Sequence, residues 1–164
     1  MKHENPHPMR RTDRLASEDF ARRTASEAPY GTLLTATLDG EPYGVPVSPV
    51  FEGDKIYFHA VKGAGRKFEN LSKNPKCAMV FVSMTSPDEA AFSMNYRSAV
   101  FEGRATLVTD EVEKMHALWL IGERWAGSQT IDKRRTVIEG SMALADVWRI
   151  DVDVISGKTR ETRR

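Results

Sequence analysis

The chain has 164 residues, with 24 Lys and Arg against 23 Asp and Glu, four His and one Cys. That length suits one domain with a single core, and a net charge of +1 provides no whole-molecule field to draw nucleic acid or an anionic membrane. The lone cysteine, Cys77, excludes an internal disulfide and a cysteine-cluster metal site, and its setting in CAMVFV is that of a buried strand residue in a reducing, cytoplasmic compartment.

Residues 1–14 read as a polar arm with no apolar h-region, and nowhere does an apolar run approach the roughly 18 residues of a membrane span, so a soluble, non-exported protein is expected. His3 and His7 read as part of this solvated arm rather than as metal ligands. Ser17 followed by Glu18 and Asp19 is a helix start, with a side-chain cap and acids at the positive end of the dipole; the helix runs toward Ala28 and Pro29 closes it.

GTLLTATL is a first strand, DGEP a turn, and YGVPVSPVF a second strand. Pro46 and Pro49 each lack an amide hydrogen, so this strand either lies at an edge or faces something other than a neighbouring strand. EGD turns into a third strand, KIYFHA, with Ile56 and Phe58 on one face and Tyr57 and His59 on the other, giving a three-strand antiparallel meander.

YFHAVKGAGRKFENLSKNP, residues 57–75, then reads as a strand end, a glycine-rich turn and a helix over 66–73 stopped by Asn74 and Pro75. Glycines at 63 and 65 let backbone approach a ligand, a helix N-terminus offers unpaired amides and positive potential, and Arg66 with Lys67 completes an anion site. A phosphate monoester, with about −1.5 to −2 charge near neutrality, suits two cations better than one. The alternative is that both cations decorate the exposed side of a short helix. Against it, cations at this end cost a few tenths of a kcal/mol unless an anion is supplied.

CAMVFVSMT is a fourth strand, PDEAAF a polar loop, and YRSAVFEGRATLVT a long fifth strand with a bulge at Gly103. Thr109 is the expected cap of the next helix, where Val112, Met115, Leu118, Trp119, Ile121 and Trp125 form an apolar stripe. His116 has no partner at metal-ligand spacing and reads as a surface or boundary residue. GSQTIDKRRTVIEG suggests a further short helix, and MALADVWRIDVDVI a sixth strand with Leu144, Asp146, Trp148, Ile150 and Val152 on one side; SGKTRETRR is a basic tail. Six antiparallel strands with intervening helices predict a mainly β fold, a small closed or half-closed barrel. There is no GxSxG elbow, Walker loop or HExxH, and the GAG turn lacks the third glycine and the parallel pattern of a dinucleotide fold.

The ordered segments EPYGVPVSPVFEGDKIYFHA, GRKFENLSKNPK, YRSAVFEGRATLVTDEVEK and ISGK resemble the pyridoxamine 5′-phosphate oxidase-like FMN-binding split barrels, and within them the nitroimidazole-resistance flavoproteins, over about residues 9–158. The resemblance implies a six-stranded antiparallel split β-barrel over residues 15–158, between the arm and a basic tail at 159–164. It implies FMN as cofactor, with the backbone of Val45, Pro46, Val47 and Ser48 along the flavin. Phe58 and His59 would lie beside the ring and ribityl chain, Arg66 and Lys67 on the phosphate, and Arg97 with Ser98 at a second polar contact.

It further implies a homodimer with FMN at the subunit interface, to which Trp125 and Trp148 contribute unless each is simply core. The activity expected is reduction of a nitroaromatic or similar small acceptor, with electrons from NAD(P)H or a protein donor. His59 is then either the proton donor of the pocket or a hydrogen-bonded structural residue. No Arg-x-His triplet follows Trp148, so the vitamin B6 reaction itself is not expected, and Val45 stands where those oxidases carry an arginine, which throws more weight onto Arg66 and Lys67. Competing readings keep the barrel but exchange FMN for deazaflavin or haem, with His59 as a candidate axial ligand, or make the protein a non-catalytic flavin binder. Balanced charge argues against an oligonucleotide-binding barrel.

Overall fold

A computed structural model describes residues 8–161. His3 and His7 therefore lie outside the described residues.

A one-turn 3-10 helix, Thr12–Arg14, leads into β1 (Leu15–Ala16), α1 (Glu18–Glu27), β2 (Gly31–Ala36), β3 (Pro42–Val47), β4 (Val50–Glu52) and β5 (Lys55–Val61). Next come α2 (Arg66–Lys73), β6 (Lys76–Asp88), β7 (Ser93–Leu107), α3 (Glu111–Trp125), α4 (Ile131–Ser141) and β8 (Ala145–Arg160). The hydrogen-bonded order is β3-β2-β6-β7-β8-β5-β4, with β1 beside β8, and every pairing is antiparallel.

The two ends of this path are β3 and β4, and only Ser48 and Pro49 separate them in the chain. A sheet whose opposite edges are joined by two residues has to roll round until those edges meet, and that closure makes the barrel. It remains split, because among the described residues β4 pairs only with Lys55, Ile56 and Tyr57 of β5 and β3 pairs only with β2. Continuing the β4–β5 register would set Pro49 beside Phe58 and Ser48 beside His59, but the ladder stops at Pro49, which has no N–H to give. All six expected strands are present. The second is broken at Ser48–Pro49, and the two-residue β1 brings the sheet to eight strands among the described residues.

Inside the barrel, Leu33, Ile56, Phe58, Met79, Phe81, Phe101, Trp148 and Ile150 are essentially buried. The rings of Phe51, Phe81 and Phe101 meet at centroid separations of 5.2 to 5.5 Å in tilted or edge-on contacts. A second core lies outside the wall, where Val50, Tyr57, Val108 and Val147 pack against Ala117, Leu118, Ile121 and Ile138 of α3 and α4. β5 thus divides as its alternation predicts, Ile56 and Phe58 inward and Tyr57 outward. On another stretch of the outer wall the register aligns Thr32 with Val80 and Val80 with Val100, beside Leu34 and Val82; Leu34 and Val82 remain about two-fifths exposed, at 40% and 41%.

Several local expectations shift. The cap of α3 is Asp110, whose side chain accepts a hydrogen bond from Glu113 N, so Thr109 lies one residue too early. In PDEAAF, Pro87 and Asp88 end β6 and a single 3-10 turn at Glu89–Ala91 forms the tip of the β6–β7 hairpin. The tail begins later than 156, because β8 runs through Arg160, pairing Tyr96 with Arg160 and Leu15 with Lys158, and the Arg160 guanidinium meets Asp88 at 2.8 Å. The bulge at Gly103 is present: the β7–β8 register slips between Glu102 and Gly103, and a Cβ there would lie 2.2 Å from the Asp151 carbonyl oxygen. Cys77 is buried and unpaired by disulfide, its thiol pushed up to about 12 chiefly by burial. Among the described residues no helix is long and apolar enough to cross a membrane.

Candidate cofactor-binding site

The helix α2 is fixed by its C-terminal half. Asn70 Nδ2 donates to Thr35 Oγ1 of β2 at 3.0 Å in a buried contact, Leu71 is buried, and Phe68 meets Trp148 edge-on at 5.9 Å. The other end is left open. Gly65 at the N-cap has φ +88°, a conformation that favours glycine, and no side chain caps the helix. The amides of Arg66, Lys67 and Phe68 therefore have no capping acceptor.

Arg66 leans over the start of β3. Its guanidinium lies 5.0 Å from the Tyr43 ring centroid, 3.5 Å from the Pro42 carbonyl oxygen and 3.7 Å from the Glu41 carboxylate. These are long contacts for a side chain that is 47% exposed. Lys67 makes no hydrogen bond or ion pair among the described residues. Two cations with weak or no partners thus flank open amides at the unpaired edge of β3, which is the donor set a phosphate requires.

Val45 and Val47 are half-buried and pack on the inner core, while Pro46 and Ser48 are exposed, so β3 presents backbone and small side chains along its open edge. Phe58 is fully buried in the barrel interior and can offer a ligand only its main chain. His59 points the other way. Its side chain is exposed over much of its surface, yet neighbouring atoms crowd the ring enough that burial first, and the Lys67 charge second, pull the imidazole below its ordinary value. The Lys67 charge is thus felt at the His59 ring.

Arg97 and Ser98 stand apart. Arg104 pairs with Lys76 just beyond α2, and Arg97 lies seven residues back along β7, roughly 24 Å of strand. Its guanidinium is engaged by Glu161 through Nε–Oε1 at 2.5 Å and Nη2–Oε2 at 3.2 Å, and it borders a cavity of about 240 Å³ with Phe20, Arg23, Thr24 and Glu27. Ser98 Oγ donates to the Lys158 carbonyl oxygen. Within one chain the structure brings together β3, His59, Arg66 and Lys67, and it leaves Arg97 and Ser98 elsewhere.

Trp148 is core. Trp125 is 37% exposed, with its indole N–H donating to the Pro49 carbonyl oxygen at 3.0 Å, so it braces the bend between β3 and β4. His116 is a surface residue, 2.7 Å from Glu52. The residue that sequence reasoning missed is Tyr43. As the one aromatic between the DG turn and Pro46, on the strand already marked by its prolines, it carried a usable signal. Among the described residues no group of three or more His, Cys, Asp or Glu is placed to hold a metal.

Comparison with solved structures finds the same fold in several proteins. The chain is similar to a candidate 5-nitroimidazole antibiotic resistance protein from Bacteroides thetaiotaomicron, at 23% identity and a TM-score of 0.71, with 95% of each chain covered. It is similar to a conserved hypothetical protein of Mycobacterium tuberculosis at 19% identity and a TM-score of 0.77, covering 96% of this chain and 97% of that one. It is also similar to the flavocytochrome Anf3 of Azotobacter vinelandii at 19% identity and a TM-score of 0.75, covering 98% of this chain and 75% of the other. No curated protein matches the sequence. The sequence profile of the family described as pyridoxamine 5′-phosphate oxidase matches residues 17–159, nearly the whole barrel, and the chain belongs to that family.

Proposed function

We propose that this protein is an FMN-dependent reductase of small electron-poor acceptors, nitroaromatics foremost. One observation carries the reading: among the described residues, Arg66 and Lys67 sit side by side at an uncapped helix start, Lys67 without a partner, next to a strand edge that no other strand fills. A phosphate held there would leave the rest of an elongated cofactor to run along β3 toward Ser48 and His59. Bound flavin supplies the redox chemistry, and the chain supplies position, electrostatics and exclusion of water. His59, beside Lys67, is the group placed to hand a proton to a reduced acceptor. The 5-nitroimidazole resistance assignment of one protein of this fold supports the acceptor class.

The same reading takes the protein to be a homodimer. The outer wall around Leu34, Val80, Val82 and Val100 is apolar, and α3 and α4 cover a different part of the barrel, so a second copy seated on it would bury that surface. Arg97 and Ser98, remote from the clamp in their own chain, would then serve the cofactor of the second copy.

The absorption spectrum of the purified protein tests the core of this. Flavin bands, or their appearance on reconstitution with FMN, are expected; a colourless protein that takes up no FMN would sink the proposal. A haem-binding reading is favoured by the fold's likeness to a flavocytochrome, and it predicts a Soret band instead, with His59 as axial ligand. Anaerobic reduction by NADH, NADPH or a protein donor, followed by reoxidation with nitroaromatic acceptors, identifies the two substrates.

A further inference from the structure

The turn that leads into the clamp is held by the strand beside β5, β8, and the residue before it. After β5 the chain makes two contacts with the start of β8: Lys62 N donates to the Leu144 carbonyl oxygen at 3.0 Å, and Gly63 N donates to Asp146 Oδ2 at 2.7 Å. Asp146 itself is 7% exposed and sits opposite Ala60 in the β5–β8 ladder. It has no cationic partner within ion-pair distance among the described residues. A buried carboxylate without a counter-charge is expensive unless it is hydrogen-bonded or partly solvated. Here it has the Gly63 amide, and it also forms part of the wall of a cavity of about 520 Å³ shared with Lys62 and Lys114, so its charge is not sealed in apolar surroundings.

That bond falls at the most pliable point of the chain between β5 and α2. Gly63 has φ +61° and Gly65 φ +88°, both in the region that glycine enters freely, so the turn has no side-chain stereochemistry to hold it in one shape. Arg66 begins the helix only three residues after Gly63. A flexible turn carrying two phosphate-binding cations loses affinity to its own disorder unless something external orders it, and the charge-assisted bond from Gly63 N to Asp146 is that constraint.

We propose that Asp146 is a positioning residue for phosphate recognition: its carboxylate fixes the Gly63 turn and thereby presents Arg66 and Lys67 to the cofactor without touching it. This rests on the phosphate-clamp reading above. Because it acts through the phosphate alone, the test is the ratio of FMN to riboflavin affinity, measured by fluorescence titration of the flavin-stripped full-length protein.

The wild type should prefer FMN. Asp146→Ala should weaken FMN binding about tenfold or more and leave riboflavin within about twofold, whereas Asp146→Asn, which keeps an acceptor for the Gly63 amide, should hold most of the FMN preference. Equal losses for both ligands in Asp146→Ala would show a general structural role and overturn the proposal, as would an Asn variant as weak as Ala. A wild type indifferent to the phosphate would overturn the clamp itself, a distinguishable failure. Should the Ala variant not fold, exchange of the Gly63 amide hydrogen in the wild type decides: protection in the flavin-free protein is expected, and rapid exchange would rule out the constraint.

Discussion

Among the described residues, three of the four α-helices begin alike, and one does not. Ser17 accepts from Phe20 N ahead of α1, Asp110 from Glu113 N ahead of α3, and Thr130 from Lys133 N ahead of α4, and each has acids in its first turn. The helix α2 begins with an uncapped glycine and two cations. In the first three the chain satisfies its own amides and balances its own dipole, so nothing further is needed there. At α2 the amides are left uncapped among the described residues, and the acid of its first turn, Glu69, stands against two cations that precede it, which marks the end as open to an anion from outside. A site of this kind is legible as an omission of ordinary stabilising chemistry.

Charge reversal at that one helix start gives the largest effect. Replacing Arg66→Glu together with Lys67→Glu removes two charge-assisted contacts, each worth about 1.5–3 kcal/mol, so FMN affinity should fall by at least about a hundredfold in a titration. The flavin-free protein should meanwhile become more stable by a few tenths of a kcal/mol, since acids suit a helix N-terminus. Affinity and stability moving in opposite directions is the signature of a binding end. If both fall together, α2 is an ordinary helix with misplaced cations.

Arg97 sharpens the contrast between what one chain assembles and what two assemble. Its ion pair with Glu161 is exposed, so Arg97→Ala should leave the thermal unfolding midpoint nearly where it is, while FMN affinity drops about tenfold if Arg97 of a second copy reaches the cofactor. Mixing the Arg97→Ala chain with the Arg66→Glu, Lys67→Glu chain is the decisive form. Across a dimer one site then has every residue intact, and flavin binding should return to about one site per mixed dimer. No recovery means that Arg97 does not act across subunits.

The structural helix starts should respond in the opposite sense to α2. Asp110→Ala removes the cap of α3 and should cost about 1 kcal/mol, a fall in unfolding midpoint of roughly 2–4 °C for a chain of this size. FMN affinity should not change. A loss of FMN binding in that variant would tie α3 to the site and erase the distinction between the two kinds of helix start.

Local features of the site are readable in the sequence because their physics is local. The α2 boundaries, the glycine turn and the odd placement of Arg66 and Lys67 depend on residues within one helical turn of each other, and they stand where the sequence puts them. The break of the second strand at Ser48–Pro49 is different: it arises because one strand must leave one sheet edge and join the other, a constraint set by closure of the barrel. The extension of β8 through Arg160 has the same origin, since pairing with β7 and the Asp88 contact override a composition that reads as tail. Phe58 shows the limit of alternation. It tells that Phe58 and His59 face opposite ways, but not that the open seam lies on the His59 side. Arg97 is placed by motif alone, and no motif tells which end of a barrel a strand residue occupies.

The smallest effect tests the same helix start by pH. Burial and then the Lys67 charge hold the His59 imidazole below its ordinary value in the flavin-free protein. With a depressed folded value the unfolded chain binds the proton more readily, so this histidine costs stability as pH falls through its ordinary value toward its folded one, and costs nothing above it. The ring signals in an NMR titration should therefore show a midpoint below the ordinary histidine value. Lys67→Ala should move it upward only part of the way, because burial is the larger cause. Saturating FMN should hold it higher than saturating riboflavin does, since either ligand covers the ring but only a phosphate on Lys67 cancels the charge that opposes protonation, and that difference would make His59 a better proton donor in the FMN-loaded protein. Should the midpoint be the same with FMN as with riboflavin, the phosphate is not at Lys67, and the uncapped end of α2 has some other reason to be bare.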